Sequence, residues 1–164
     1  MATSFVCLWW SVFAIGFALD AEDIRALSSC GNGKRVVALT LDDGPDLLYD
    51  DTVLGELKAA GVPATFFTAP EARGYDDDQL CSLAYRIMSE GHQVELHTMD
   101  HGHLPEMATD AIDAEMRESI EWVQRCTKYK HEPRYFRPPY GELLPEQLQH
   151  ITDEFGLIIS MWNV

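Results

Sequence analysis

The chain has 164 residues, 46% hydrophobic and 24% charged, with no biased tract, so it is sized for one domain, or part of one, with an apolar core. Its formal net charge is −15, and no charged residue precedes Asp20, so the later residues carry the whole imbalance. A surface that acidic argues against nucleic acid and anionic membrane as partners, and is indifferent to an uncharged polymer.

Residues 5–19 are nearly all apolar, and Gly16-Phe17-Ala18 offers small residues where a signal peptidase reads. The run is shorter than the roughly 20 residues of a membrane span. Residues 1–18 are therefore expected to be a secretory signal, leaving a secreted product, extracellular or in the cell wall, with no membrane attachment after cleavage. Residues 19–32 form a lead-in, and residues 33–164 one domain. Within it, residues 35–41 predict a strand buried on both faces. Residues 47–60 predict a helix stopped by Gly61, with Val53, Leu54 and Leu57 on one side. Residues 64–68 predict a second strand. Residues 76–90 predict an amphipathic helix, its start capped within Asp76-Asp77-Asp78 and its end at Gly91. Then come a strand at 92–96, a helix at 109–128 with Ile112, Met116, Ile120 and Val123 inward, and a brief strand at 135–136. A proline-initiated helix at 145–155 and a strand at 157–162 end the series. Five strands joined by helical crossovers give an α/β fold with a parallel sheet, either doubly wound or a barrel.

Three groups of polar residues fall at strand ends: Asp42-Asp43-Gly44-Pro45, His97-Thr98-Met99-Asp100-His101 and Arg137-Pro138-Pro139-Tyr140-Gly141. In parallel α/β folds these ends share one rim, where active sites form. His97 and His101, four apart, can aim at one point, and Asp43 is the natural third ligand of a metal site with an open position. Two histidines and a carboxylate also suit Fe(II) oxygenases, so ligand count leaves the metal open. Adjacent carboxylates repel unless each finds a partner, and a metal for one with Arg137 for the other would resolve Asp42 and Asp43. Asp100 reads as a solvated loop acid, with a hydrogen-bonding partner of a ligand histidine as the alternative. Tyr49, Tyr140 and Trp162 are candidates for a sugar groove, Tyr140 foremost. After loss of Cys7 with the signal, Cys30, Cys81 and Cys126 remain. Three cysteines leave the pairing open between one bridge plus a free thiol and a partner beyond the chain.

Thr40-Leu41-Asp42-Asp43-Gly44-Pro45, His97-Thr98-x-x-His101 and Arg137-x-Pro139-Tyr140 resemble, in order and spacing, the first three motifs of the polysaccharide deacetylases, carbohydrate esterase family 4. The resemblance implies a distorted (β/α) TIM-like barrel with the last strands missing from these 164 residues. It implies Asp42 as catalytic base, Asp43, His97 and His101 as metal ligands, and Zn2+ as the metal, with Co2+ an alternative. Arg137 would orient Asp42, the backbone N–H of Tyr140 would donate to the oxyanion, and Pro139 and Tyr140 would meet the substrate. That substrate would be an N-acetylated polysaccharide: chitin or chitooligosaccharide, with peptidoglycan and acetylxylan as alternatives. The Cys-Gly-Asn-Gly-Lys-Arg lead-in is more like that of fungal chitin deacetylases. Family members continue to a further motif with Asp and Trp, then one with Leu and the His that serves as general acid. The residues in hand end before these, so a catalytically impaired, carbohydrate-binding homologue is the competing expectation.

Overall fold

The computed structural model describes residues 26–28 and 37–162; the apolar run at residues 5–19 and Cys30 lie outside the described residues. Five parallel strands form one sheet: β1 (Leu39–Gly44), β2 (Ala64–Thr68), β3 (Gln93–Leu96), β4 (Tyr135–Phe136) and β5 (Ile158–Ile159). Four helices cross between them: α1 (Asp50–Ala60), α2 (Asp77–Ser89), α3 (Thr109–Cys126) and α4 (Pro145–Phe155). Two short 3-10 turns, Leu104–Glu106 and Pro139–Gly141, follow β3 and β4. Spatial order equals chain order, β1-β2-β3-β4-β5. A doubly wound sheet reverses direction at a switch point, and this one does not. Consecutive right-handed crossovers put every helix on the same face, so the sheet is an arc of a distorted, partial barrel.

Register explains the core. Leu41, Phe66 and Val94 are aligned across β1, β2 and β3, and Leu96, Phe136 and Ile159 across β3, β4 and β5. These rows join Leu54, Leu57, Leu80, Ile87, Ile112 and Met116 in a single cluster. The alternate positions, among them Thr40, Asp42, Phe67, Glu95 and Arg137, belong to the inner face of the arc. Among the described residues, no helix is long and apolar enough to cross a membrane.

Local signals place the helices. The Asp76 carboxylate accepts from the Gln79 N–H at 3.1 Å and caps α2. Gly61, at φ 65°, ends α1 in the left-handed conformation that glycine takes most cheaply. Cys81 and Cys126 form a disulfide between α2 and α3, settling the partner of those two. The Leu27 N–H donates to the Ile159 carbonyl and the Met161 N–H to the Leu27 carbonyl, both at 2.8 Å, so part of the lead-in pairs with β5.

The first strand departs from expectation. It runs to Gly44, carrying both aspartates inside it, with an irregularity in pairing between Leu41 and Gly44. It is also not buried on both faces, because β1 is an edge of the described sheet and Leu39 is 44% exposed. The β1–α1 connection extends to Tyr49, since the Asp46 carboxylate draws in the Leu48 and Tyr49 N–H groups and holds this stretch as a turn.

Candidate metal centre

The three motifs meet at the C-terminal ends of β1, β3 and β4. Asp43 takes φ 64°, a conformation that Asp tolerates better than most residues, within the irregularity of β1 pairing between Leu41 and Gly44. Its Oδ1 lies 3.3 Å from His97 Nε2 and 3.2 Å from His101 Nε2. The three ligand atoms all lie within 4.8 Å of one another. Tetrahedral ligands bonded at 2.0–2.1 Å sit roughly 3.3–3.4 Å apart, whereas charge-assisted hydrogen bonds close to about 2.7–2.9 Å. The observed spacing fits a shared ion better than direct contact.

The histidine orientation agrees. His97 Nδ1 lies 2.6 Å from the Arg137 carbonyl oxygen. A carbonyl only accepts, so Nδ1 carries the proton and the Nε2 lone pair faces Asp43 and His101. Burial pushes the His97 imidazole below its usual range, against the opposing pull of that hydrogen bond, and favours the neutral form a metal requires. Within the loop, the Thr98 hydroxyl donates to the His97 carbonyl at 2.6 Å and accepts from the His101 N–H at 3.0 Å. Thr98 and His101 both sit at positive φ, which turns the chain tightly enough to bring the two rings to 4.9 Å between centroids.

Asp42 sits beside this cluster and pairs with Arg137 Nη1 at 2.5 Å. The Arg137 side chain is among the most buried in the protein, at 1% exposure. It also donates to the Thr40 hydroxyl at 2.9 Å and to the Ser160 and Met161 carbonyls at 3.0 and 3.3 Å, while its guanidinium lies 4.0 Å over the Phe67 ring. Burial lowers its pKa and Asp42 opposes that. An arginine still keeps its charge, so the Asp42 carboxylate is held from behind by a fixed cation. The arrangement offers three converging ligand atoms and a fixed carboxylate beside them.

Tyr140 occupies the turn Pro139–Gly141 at φ 58°, over buried Pro139. Its ring meets the His101 ring edge-on at 4.6 Å. His103, a position sequence reasoning passed over, stacks flat on the same ring at 4.1 Å and bonds to Glu142 at 3.0 Å. Asp100 is exposed and accepts from the Gly102 N–H at 2.8 Å, as a loop acid would. Tyr49 and Trp162 are exposed at 64% and 43%.

The polysaccharide deacetylase profile matches residues 30–157. The chain belongs to the polysaccharide deacetylase family. It is 36% identical over 131 residues to a Bacillus cereus peptidoglycan-N-acetylglucosamine deacetylase, covering 80% of this chain and 45% of that protein. It is 30% identical over 146 residues to Saccharomyces cerevisiae chitin deacetylase 1, covering 89% of this chain and 42% of that one. A family 4 acetyl xylan esterase from Clostridium thermocellum, solved with a cobalt ion, superposes with a TM-score of 0.63 and 27% identity over 74% of this chain and 55% of that chain. The chain therefore spans less than half the length of these two sequence relatives. The relatives' names give different acetylated polymers, so membership fixes the fold and leaves the substrate open.

Proposed function

We propose that the protein is a metal-dependent deacetylase of N-acetylglucosamine polymers, chitin or chitooligosaccharides, that releases acetate. The observation that carries this reading is the convergence of Asp43, His97 and His101 beside Asp42 and the buried Arg137 that pairs with it. A divalent metal held by these three residues, Zn2+ or Co2+, would supply Lewis acidity toward the amide carbonyl and the attacking water. The remaining steps fall to the chain. Asp42, steadied by Arg137, takes a proton from the water as its oxygen bonds to the acetyl carbon. The Tyr140 N–H donates to the oxygen that gains charge, and the Tyr140 ring with Pro139 forms the wall against the sugar. The carbon–nitrogen bond then breaks, and a proton returned from Asp42 or taken from solvent ends on the amine nitrogen. The apolar run at residues 5–19 and the Cys81–Cys126 bridge support an extracellular or cell-wall location.

A second reading is peptidoglycan as substrate, favoured by the 36% identity to the bacterial enzyme. Acetate release from chitin pentamer, peptidoglycan and acetylxylan, each with added Zn2+ or Co2+, separates them. Chelator-sensitive acetate from the chitin oligomer supports the proposal. Acetate from peptidoglycan alone transfers it to the second reading. Metal binding without acetate from any substrate leaves a carbohydrate-binding homologue. Turnover that needs dioxygen and an oxo-acid would point to an iron oxygenase instead.

A further inference from the structure

Helix α3 directs one carboxylate where its periodicity calls for an apolar residue. Glu115 lies three residues after Ile112, beside Met116 and four before Ser119, and those three are 1%, 0% and 3% exposed. Residues at such spacings share a helix face, and this face packs against β3. Glu115 Oε2 accepts the Met99 N–H at 2.7 Å. Met99 is the middle residue of the His97–His101 loop. Burial raises the Glu115 pKa, as do nearby Asp100 and Glu118, while the Met99 N–H draws it back.

The loop needs such an anchor. Thr98 and His101 both occupy left-handed backbone, which costs roughly 1–3 kcal/mol per residue and persists only where the surroundings over-determine it. The Thr98 hydroxyl supports the loop from within. Glu115 adds support from α3 beside the Glu71 N–H, which donates to the Met99 carbonyl at 2.8 Å, and its bond falls on the central one of the three residues between the histidines. We propose that Glu115 is a positioning residue for the metal centre: its carboxylate pins the Met99 N–H, midway between the two histidines, to α3 and so fixes their separation. The inference rests on the metal reading given above, and it adds a residue from outside the three motifs.

The test is Co2+ titration of the full chain, followed by the visible absorption of the bound ion, for the native protein, Glu115→Gln and Glu115→Ala. Urea unfolding of each metal-free protein runs in parallel. Gln keeps the shape but carries only one acceptor oxygen and no charge. Loss of an outer partner of a metal site typically weakens binding about 10–100-fold. Glu115→Gln should therefore bind Co2+ about 10-fold more weakly, and Glu115→Ala more weakly still, with an altered absorption spectrum. Variants that bind Co2+ within twofold of native overturn the proposal, whatever their stability, since a residue serving only the fold would shift unfolding and leave affinity alone. Should Glu115→Ala fail to fold, Glu115→Gln decides by the same criterion. A native chain that binds no Co2+ defeats the metal reading and this inference with it, an outcome distinct from native-like binding by the variants.

Discussion

Arg137 holds two parts of the site by two different groups, and a substitution can separate them. Its side chain grips Asp42, Thr40 and the Ser160 and Met161 carbonyls. Its backbone carbonyl fixes His97 Nδ1. Arg137→Met keeps an apolar stem over Phe67 but removes every side-chain hydrogen bond. Breaking a fully buried ion pair costs about 3–5 kcal/mol. Asp42 is 34% exposed and regains some hydration. The two carbonyls left behind partly offset this relief, so unfolding stability should fall by about 2–4 kcal/mol. Arg137→Lys keeps the charge without the fork and should lose about half as much. The His97 anchor survives both changes, so Co2+ affinity of the folded protein should stay within about threefold of native. Acetate release should meanwhile fall on the order of 100-fold, the lower range for removing general base help. Urea denaturation at pH 7, Co2+ titration and acetate assay read the three quantities. Loss of metal affinity in step with stability would refute this division of labour. A stability change under about 0.5 kcal/mol would show that the Arg137 network holds nothing.

Asp43→Asn should fold normally, because Asn accepts the left-handed backbone at this position, yet lose more metal affinity than the roughly 10–100-fold of an outer partner, as read by Co2+ titration. Replacing Cys81 and Cys126 together with Ser opens a loop of 45 residues' separation, and a chain-entropy calculation gives up to about 4 kcal/mol lost in urea unfolding. His92 Nδ1 accepts the Ala64 N–H at 3.1 Å, and burial lowers its pKa. Below about pH 6.5 the unfolded chain takes up a proton that the folded chain resists, so this contribution is present at neutral pH and declines as pH falls. The stability difference between native protein and His92→Gln should accordingly shrink between pH 7.5 and 5.5, and a constant difference would count against it.

What the sequence made legible follows from burial. Short β-prone runs following helix stops mark the strands, so β2, Ala-Thr-Phe-Phe-Thr before a proline, is found with its bounds intact and β3, after Gly91, within one residue. The helices announce themselves by the 3.6-residue period, by the Asp76 cap and by Gly61. The aspartate pair, the two histidines and Arg137 stand out because charged groups at strand ends need partners, and the structure brings all five together. Other features depend on distance in space. The Cys81–Cys126 pairing had no sequence signature, since spacing alone cannot choose among three cysteines. Trp122 was missed as a core residue of α3; its indole N–H reaches Asp77 at 2.7 Å on another helix. Glu115 had a faint signal, an acid in phase with Ile112 and Ser119, but acids in helices usually face water.

The least legible feature, backbone strain, coincides with the chemistry. Six described residues other than glycine take positive φ: Asp43, Thr98, His101, Lys128, Tyr129 and Tyr140. Four of them belong to the candidate site. Asp43 and His101 carry the converging ligand atoms, Thr98 closes the loop between the histidines, and Tyr140 sets the aromatic wall. Regular backbone at the strand ends would alternate these side chains between the two faces of the sheet. Left-handed residues break that alternation and let Asp43, adjacent to Asp42 in β1, turn toward the histidines while Asp42 turns toward Arg137. At roughly 1–3 kcal/mol each, four such residues cost several kcal/mol, a large share of a small domain's net stability. Local bonds offset that cost where it arises: the Thr98 hydroxyl and the Glu115 carboxylate across the histidine loop, and the Arg137 network behind Asp42. A substitution that relieves the strain, such as Thr98→Gly, should therefore ease the backbone while loosening the metal centre. Removing the hydroxyl bridge should lower Co2+ affinity more than it lowers unfolding stability. The reverse order would show that the left-handed backbone is a by-product of the turn and not the means of aiming the ligands.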